Sequence, residues 1–239
     1  MRTPIQPCQL ITVSREFGAG GSDLARELGE RLGWPVLDHD VIHRVAEQLR
    51  LDENTVEHFD EHPPSLLARI ATVLIIPQPD LFSFPPSTDV ASHDRIAAAT
   101  TEVIRAAAAD PPLIIVGHGA QCILAGRPDV LHVRAIAPLG DRIRRIASRL
   151  NVDPAFAANL LRRADGDRQA YVQRYFHADW HSELLYDLRI NTARVPIDEA
   201  AEVVVELVRL RLRGGGERPP TNVLLRRGEP GAEVEIPVE

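Results

Sequence analysis

The sequence contains no lysine: all 27 of its basic side chains are arginine, set against 34 aspartates and glutamates for a formal net charge of −7. Duplex binding needs concentrated positive charge, so this balance excludes nucleic-acid binding as the main role and leaves small anionic ligands open. Cysteine is nearly absent, and Cys8 and Cys122 make neither a disulfide framework nor a paired metal motif. The opening MRTPIQPCQ has no apolar core of the kind a secretory leader needs. The longest apolar stretch, near residues 73–76, is far below the roughly 20 residues that span a bilayer. These absences predict a soluble cytoplasmic chain with no membrane partner. At 239 residues and 44% hydrophobic, it has material for one domain with a sizeable core.

What is present alternates short β-rich runs with helical periodicity. Leu10–Val13 reads as a strand, and Leu24, Ala25, Leu28 and Leu32 mark a helix that opens with Ser22 and Asp23 as its cap. Residues 35–37 make a second strand. Helices are expected over Val41–Leu49 and Ser65–Ile76, a Pro-rich loop over Pro77–Ser87, and a strong helix over Arg95–Ala108. Leu113–Val116 is continuously apolar, as a parallel strand buried on both faces is, and Gly117, His118 and Gly119 then turn the chain. A strand over Val130–Ala135, a helix over Leu139–Leu150, two helical stretches between Asp153 and His177, a strand over Tyr186–Ile190 and a helix over Ile197–Leu212 complete the pattern. Such alternation implies a parallel sheet covered on both faces. From Arg213 onward glycine, proline and scattered charge predict a flexible tail, in which Val223–Leu225 is a candidate edge strand.

The run LITVSREFGAGGSDLA over residues 10–25 carries the most chemistry. A strand followed by a glycine turn and a helix start aims backbone N–H groups and the positive helix end at an anion. Aligned on the phosphate-loop pattern G-x-x-x-x-G-K-[ST], Arg15 stands at the first glycine and Gly21 at the lysine, with Ser22 at the hydroxyl. This is a phosphate-loop context without its lysine. On the glycines alone, a tight turn that needs them only for backbone angles explains the run equally well.

The runs ITVSREFGAGGSDLARELGERLGWPVLDHDVIHRVAEQL (11–49), IIVGHGA (114–120) and RQAYVQRYFHADWHSELLYDLRINTARVPIDEAAEVV (168–204) resemble the cytidylate kinase-like family, a branch of the nucleoside monophosphate kinases. The resemblance runs from about Ile11 to Leu207 with the motifs in the family's order. It implies a P-loop NTPase-like three-layer α/β/α fold around a central parallel sheet. Acceptor-binding helices would be inserted near residues 40–86, and a helical lid would span residues 151–181. Residues 1–9 would be an N-terminal extension, 10–212 the domain and 213–239 the tail. The implied reaction is phosphoryl transfer from ATP to a nucleoside monophosphate, CMP or dCMP, with Mg²⁺ delivered alongside ATP. Relatives share the opening S-R-E-[FY]-G-[AS]-G-G, so the missing lysine belongs to the branch. Where they commonly read G-R-G-A, this chain has Gly117-His118-Gly119-Ala120, and an imidazole lacks the permanent forked charge of a guanidinium. A reading from another class is a non-catalytic nucleotide-binding or regulatory protein that keeps the kinase fold. A third is a kinase for another small phosphoryl acceptor.

Phosphoryl transfer asks the protein for positioning and positive charge. The resemblance assigns the ATP phosphates to the turn Phe17, Gly18, Ala19, Gly20, Gly21 and Ser22, and the lysine's task to Arg15, whose bland alternative is a salt bridge to Glu16 or to another surface acid. Asp38, at the end of the second strand, is an acceptor-site or Mg²⁺-water ligand, or else a helix cap shared with Asp40. His118 is expected at the acceptor site. In the lid, Arg168, Tyr171 and Arg174 fall on one helical face, with Arg168 and Arg174 as catalytic cations and Arg163 and Tyr171 as substrate contacts; the alternative is a solvated helix paired with Asp165, Asp167 and Asp179. Arg142, Arg144 and Arg145 read as the wet face of a helix whose Ile143 and Ile146 point inward. Trp180 reads as a packing anchor, while Asn191 and Thr192 either border the adenine or serve the fold. His39/His43, His58/His62 and His177/His181 are each four apart, which places a pair on one helical face, but no third ligand follows at fixed spacing and no metal is expected from them.

Overall fold

The computed structural model describes residues 3–4, 8–38, 90–213 and 217–218. The elements expected over residues 41–87 and 223–225, together with Asp40 and the pairs His39/His43 and His58/His62, lie outside the described residues.

Five strands form one parallel sheet: β1 (Leu10–Arg15), β2 (Val36–Leu37), β3 (Leu113–Val116), β4 (Val130–Ile136) and β5 (Leu188–Asn191), in the order β2-β3-β1-β4-β5. Among the described residues six α-helices accompany it: α1 (Gly21–Leu32), α2 (Val90–Ala107), α3 (Ala120–Ile123), α4 (Leu139–Leu150), α5 (Pro154–Phe176) and α6 (Ile197–Arg213). Thr3–Pro4 pairs antiparallel with Glu217–Arg218, apart from the sheet. β3 is apolar and buried at all four positions because both faces of the sheet are covered there. Ile11, Val13, Ile114 and Val116 pack with Leu24 and Leu28 of α1 and Val204 and Val208 of α6. Their alternates Leu10, Leu113 and Ile115 pack on the other face with Val103 and Ile104 of α2 and Ala120 of α3. The three-layer α/β/α arrangement expected from the alternation is the one observed.

β1 is the central strand, with Leu10 in register with Leu113 on one side and Val130 on the other. The chain leaves β1 toward β2 and β3 first and crosses back to β4 and β5 afterwards, so the carboxyl end of β1 is a topological switch point, where open α/β sheets place their ligands.

Two expectations need correction. α1 opens at Gly21 with Gly20 in the left-handed region (φ 75°) as its cap residue, and no side chain caps it, so Ser22 and Asp23 lie inside the first turn. α5 is one helix of 23 residues rather than two stretches. Asp165 and Gly166, poor helix formers in sequence, lie mid-helix because Asp165 is bonded across to the glycine turn. Asp153 caps the N-terminus, accepting from the Ala155 and Phe156 N–H groups at 2.8 and 3.0 Å.

Candidate functional site

Just past β1, Glu16 N–H donates to Ala135 O (3.1 Å), and the chain turns through Gly18 to Gly20 into α1. The first helical bond, Leu24 N–H to Gly20 O (2.9 Å), leaves the N–H groups of Gly21, Ser22 and Asp23 without an intrahelical acceptor at the positive end of the helix. The turn's carbonyls face the other way. Arg15 O accepts from Arg168 (3.3 Å), Glu16 O from Ala19 N–H (3.1 Å), Phe17 O from Arg142 (3.3 Å), Gly18 O from Arg145 (3.0 Å) and Ala19 O from the Thr192 hydroxyl (2.7 Å). Five consecutive acceptors are thus committed to protein donors, and the donors at the head of α1 remain. Ser22 is exposed there, whereas Ala19 is buried and Phe17 is in the core with Ile146, Ala157 and Leu161. Phe17's N–H donates to Asp165 (2.7 Å), which removes it from the set of amides open to a phosphate.

Arg15 lies across this turn. A Cβ added at Gly21 would collide with Arg15 Cβ and stand 2.9 Å from its Cγ; one added at Gly117 would collide with Nη1 and stand 3.2 Å from Cζ. The arginine stem therefore fills the volume over the residue that aligns with the phosphate-loop lysine. Its guanidinium rests on Gly117, in the turn that follows β3. Glu16 is not the partner that the alternative named for Arg15: its carboxylate accepts from Ala137 N–H (3.2 Å) and pairs with Arg142 (3.4 Å) and Arg134 (4.0 Å).

Beneath the turn lies a polar cluster. Arg134 is fully buried on β4, stacked over the rings of Trp180 (4.1 Å) and Tyr186 (5.1 Å), and it donates to Trp180 O, to the Tyr186 hydroxyl (3.1 Å) and toward His181 Nδ1 (3.3 Å). Trp180 is buried as expected, with its indole N–H on the Ser14 hydroxyl (3.2 Å). The reading of α4 as a helix with a wet arginine face holds only for Arg144, paired with Asp141 at the surface. Arg142 is buried and donates to Ala137 O (3.0 Å), Phe17 O and Asp165 (2.5 Å), while Arg145 reaches Gly18 O and Thr192. Among the described residues five guanidiniums gather around the turn with the carboxylates of Glu16 and Asp165 between them.

The sequence profile of the cytidylate kinase-like family matches residues 10–194. This chain belongs to that family. A cytidylate kinase of Haloquadratum walsbyi is 35% identical over 81 residues, which is 34% of this chain and 42% of that protein. One of Halobacterium salinarum is 34% identical over 86 residues, 36% of this chain and 44% of that protein. The alignments thus span less than half the length of these relatives. Among solved structures, an uncharacterized protein from Eubacterium ventriosum superposes with a TM-score of 0.62 at 21% identity, covering 84% of this chain and 98% of that one, a likeness of fold.

In this cytidylate kinase-like chain α5, the helix expected to be a lid, divides its expected site residues. Arg168 sits against the turn, over the Phe17 ring at 5.6 Å and bonded to Arg15 O and Asp165; burial holds its guanidinium below the ordinary arginine range, and Asp165 opposes that shift. Arg174 is exposed and paired instead with Asp94 of α2 (2.9 Å), which also accepts from the Tyr175 hydroxyl (3.0 Å). Neither arginine takes Asp167 or Asp179. Arg163 is exposed on α5, and Asp38 is exposed at the carboxyl end of β2. His118 is half-buried in the turn after β3 with φ 54°, between Gly117 and Gly119 in the same left-handed region, so it shares the sheet edge with the Arg15 guanidinium. Asn191 caps a turn through Ala193 N–H (3.1 Å), and Thr192 holds the glycine turn, so both carry local structure. α5 ends at Phe176, and His177 caps it, so His177 and His181 do not share a helical face. Among the described residues no group of three His, Cys, Asp or Glu side chains is placed to hold a metal, and no helix is long and apolar enough to cross a membrane.

Tyr171 is different in kind. Its hydroxyl is buried without a hydrogen-bond partner beside the rings of Tyr175 (4.9 Å) and Phe176 (5.9 Å), and burial pushes its pKa up to about 12. An unfolded tyrosine ionises near ~10, so between those values the unfolded chain sheds a proton that the folded chain keeps. Stability present below that window is lost as pH rises through it, by up to about 1.4 kcal/mol per pH unit. Tyr171→Phe removes an unpaired buried hydroxyl and is expected to raise stability at neutral pH by about 1 kcal/mol. It should also flatten the alkaline decline. Denaturant midpoints for parent and variant at pH 8, 10 and 11 check both statements, and parallel declines would remove Tyr171 as their source.

Proposed function

We propose that this chain is an ATP-dependent kinase for a nucleoside monophosphate, with CMP or dCMP as the acceptor. The supporting observation is the place of Arg15: its stem fills the volume over Gly21 and its guanidinium rests on Gly117, between the glycine turn and the turn that carries His118. The donor set suits a triphosphate. Helix-start N–H groups and the Ser22 hydroxyl stand at the turn with the guanidiniums of Arg15 and Arg168 beside them, and the carbonyls that would repel it are committed elsewhere. Mg²⁺ would enter with ATP, to be held by Ser22 and, through water, by Asp38. Bound there, it neutralises charge on the phosphate oxygens.

In this reading the chain's own residues position rather than react. The turn and α1 hold the donor phosphates, Arg15 and Arg168 stabilise charge spread over the transferring group, and Arg163 and Tyr171 contribute from the lid. Arg174, a further catalytic cation in this reading, is paired with Asp94 in the present arrangement. A panel of nucleoside monophosphates with Mg·ATP, followed by ADP formation, tests the proposal. ADP release with CMP or dCMP supports it. Nucleotide-induced thermal stabilisation without ADP formation for any acceptor would favour the non-catalytic reading.

His118 sets the strength of the acceptor site. Arginine carries a permanent charge and a fork matched to phosphate, so His118→Arg is expected to lower KM for CMP about tenfold, with kcat changed less. Unchanged KM in a folded variant would place His118 outside the acceptor site.

A further inference from the structure

One carboxylate joins three elements at the glycine turn. Asp165, in the middle of α5, accepts the Phe17 N–H on Oδ1 at 2.7 Å, the Arg142 guanidinium on Oδ2 at 2.5 Å and the Arg168 guanidinium on Oδ1 at 3.4 Å. The turn, α4 and α5 thus meet at a single side chain. Its place in the helix has a cost: Asp and the Gly166 that follows are both poor helix formers, and the two together favour a break. The helix runs through them because the carboxylate is held from outside.

The three bonds are unequal. Phe17 and Arg142 are gripped at short distance, and Arg142 is further fixed by Ala137 O and Phe17 O, so this pair belongs to the scaffold. Arg168 is held loosely, at 3.4 Å from Asp165 and 3.3 Å from Arg15 O, with its face over the Phe17 ring. A long charge-assisted contact is one a stronger acceptor can draw away. Without the carboxylate, Arg168 loses its bonded counterion and Arg142 keeps only Glu16.

We propose that Asp165 is a positioning residue: its carboxylate locks the Phe17 amide to the lid helix and aims Arg168 at the anion site of the turn. The role of Arg168 in transfer rests on the kinase reading above; the lock on Phe17 does not. Asp165 itself touches no phosphate in this arrangement. It removes one amide from the turn's donor set and fixes the distance between the turn and the lid.

Two measurements test this. In steady-state kinetics, Asp165→Asn keeps an oxygen for the Phe17 N–H and loses the charge. It is expected to lower kcat by about 10²-fold while the Kd for Mg·ATP changes less than about threefold. In an Arg168→Ala background the same substitution is expected to change kcat by less than about threefold, because the two residues act through one contact. Multiplicative losses in the double variant, or a kcat at the parent's level in Asp165→Asn, overturn the proposal. The second measurement uses the parent chain and needs neither a folded variant nor turnover: amide hydrogen exchange at Phe17. Protection without nucleotide, retained when Mg·ATP is added, is the expected result. Exchange in the free protein at the rate of an open amide overturns the lock. A parent chain that forms no ADP with any acceptor defeats the kinase reading alone, and the Phe17 exchange then decides the part played by Asp165.

Discussion

Arg15→Ala is expected to lower kcat/KM for phosphoryl transfer by about 10²-fold or more while the fold persists, since losing one charged contact to a developing transition state costs several kcal/mol. The fold survives because the Arg15 stem lies over glycines at the rim of the sheet, and its loss opens space to the site rather than a sealed cavity. Arg15→Lys should recover only part of the activity, as a point charge on a shorter stem lacks the fork that reaches two oxygens. Restoring the phosphate-loop pattern by Gly21→Lys should not help. Any side chain at that position meets the Arg15 stem, with Cγ at 2.9 Å, so the variant loses stability and gains no phosphate contact. Steady-state kinetics on the three variants, with circular dichroism to confirm the fold, checks the set. Arg15→Ala that turns over at the parent's rate, or Gly21→Lys that outperforms the parent, would show that arginine has not taken the lysine's place.

The same geometry explains what sequence reasoning reached. Continuous apolar runs such as Leu113–Val116 signal strands buried on both faces, and the helix periodicity after Gly21 places α1 correctly, because burial on a covered sheet is a local pattern. The glycine turn was legible for the same reason. The duties of the other arginines were not, since periodicity says which face a residue occupies and not what docks against it. Arg142 stands four residues before the inward-facing Ile146 and so lies on the buried face of α4; that spacing was the available signal, and the charge of the side chain masked it. Arg134 gave no signal, because nothing in an apolar strand announces that a tryptophan and a tyrosine from residues 180–186 will stack on a buried guanidinium. The break expected near Asp165 and Gly166 is a case of tertiary bonds overriding local propensity. Arg168 and Arg174 share a helical face in sequence yet serve different neighbours, because that face spans the gap between the glycine turn and α2.

The largest loss of stability is expected from Arg142→Ala. The Arg142 side chain is 11% exposed and pairs with Glu16 and Asp165, themselves 18% and 20% exposed, while also satisfying the carbonyls of Ala137 and Phe17. Truncation removes the cation and leaves two largely buried carboxylates on opposite sides of a void, a change that costs about 3–5 kcal/mol where the partners stay desolvated. Some of that cost is relieved because Glu16 keeps Ala137 N–H and Arg134, and Asp165 keeps Phe17 N–H and Arg168. The lower end of the range is therefore the expectation. Arg144→Ala, on the same helix with a side chain 75% exposed, isolates the effect of position, because its surface pair with Asp141 contributes well under about 1 kcal/mol. Urea midpoints should fall steeply for Arg142→Ala and hardly move for Arg144→Ala, with unchanged m-values in both. Equal midpoints for the two variants would mean that the cluster beneath the glycine turn is solvated and soft, and the turn's ordered carbonyls would then need another cause. A large difference would place the rigidity of the glycine turn in Arg142, a buried cation that holds the turn from beneath.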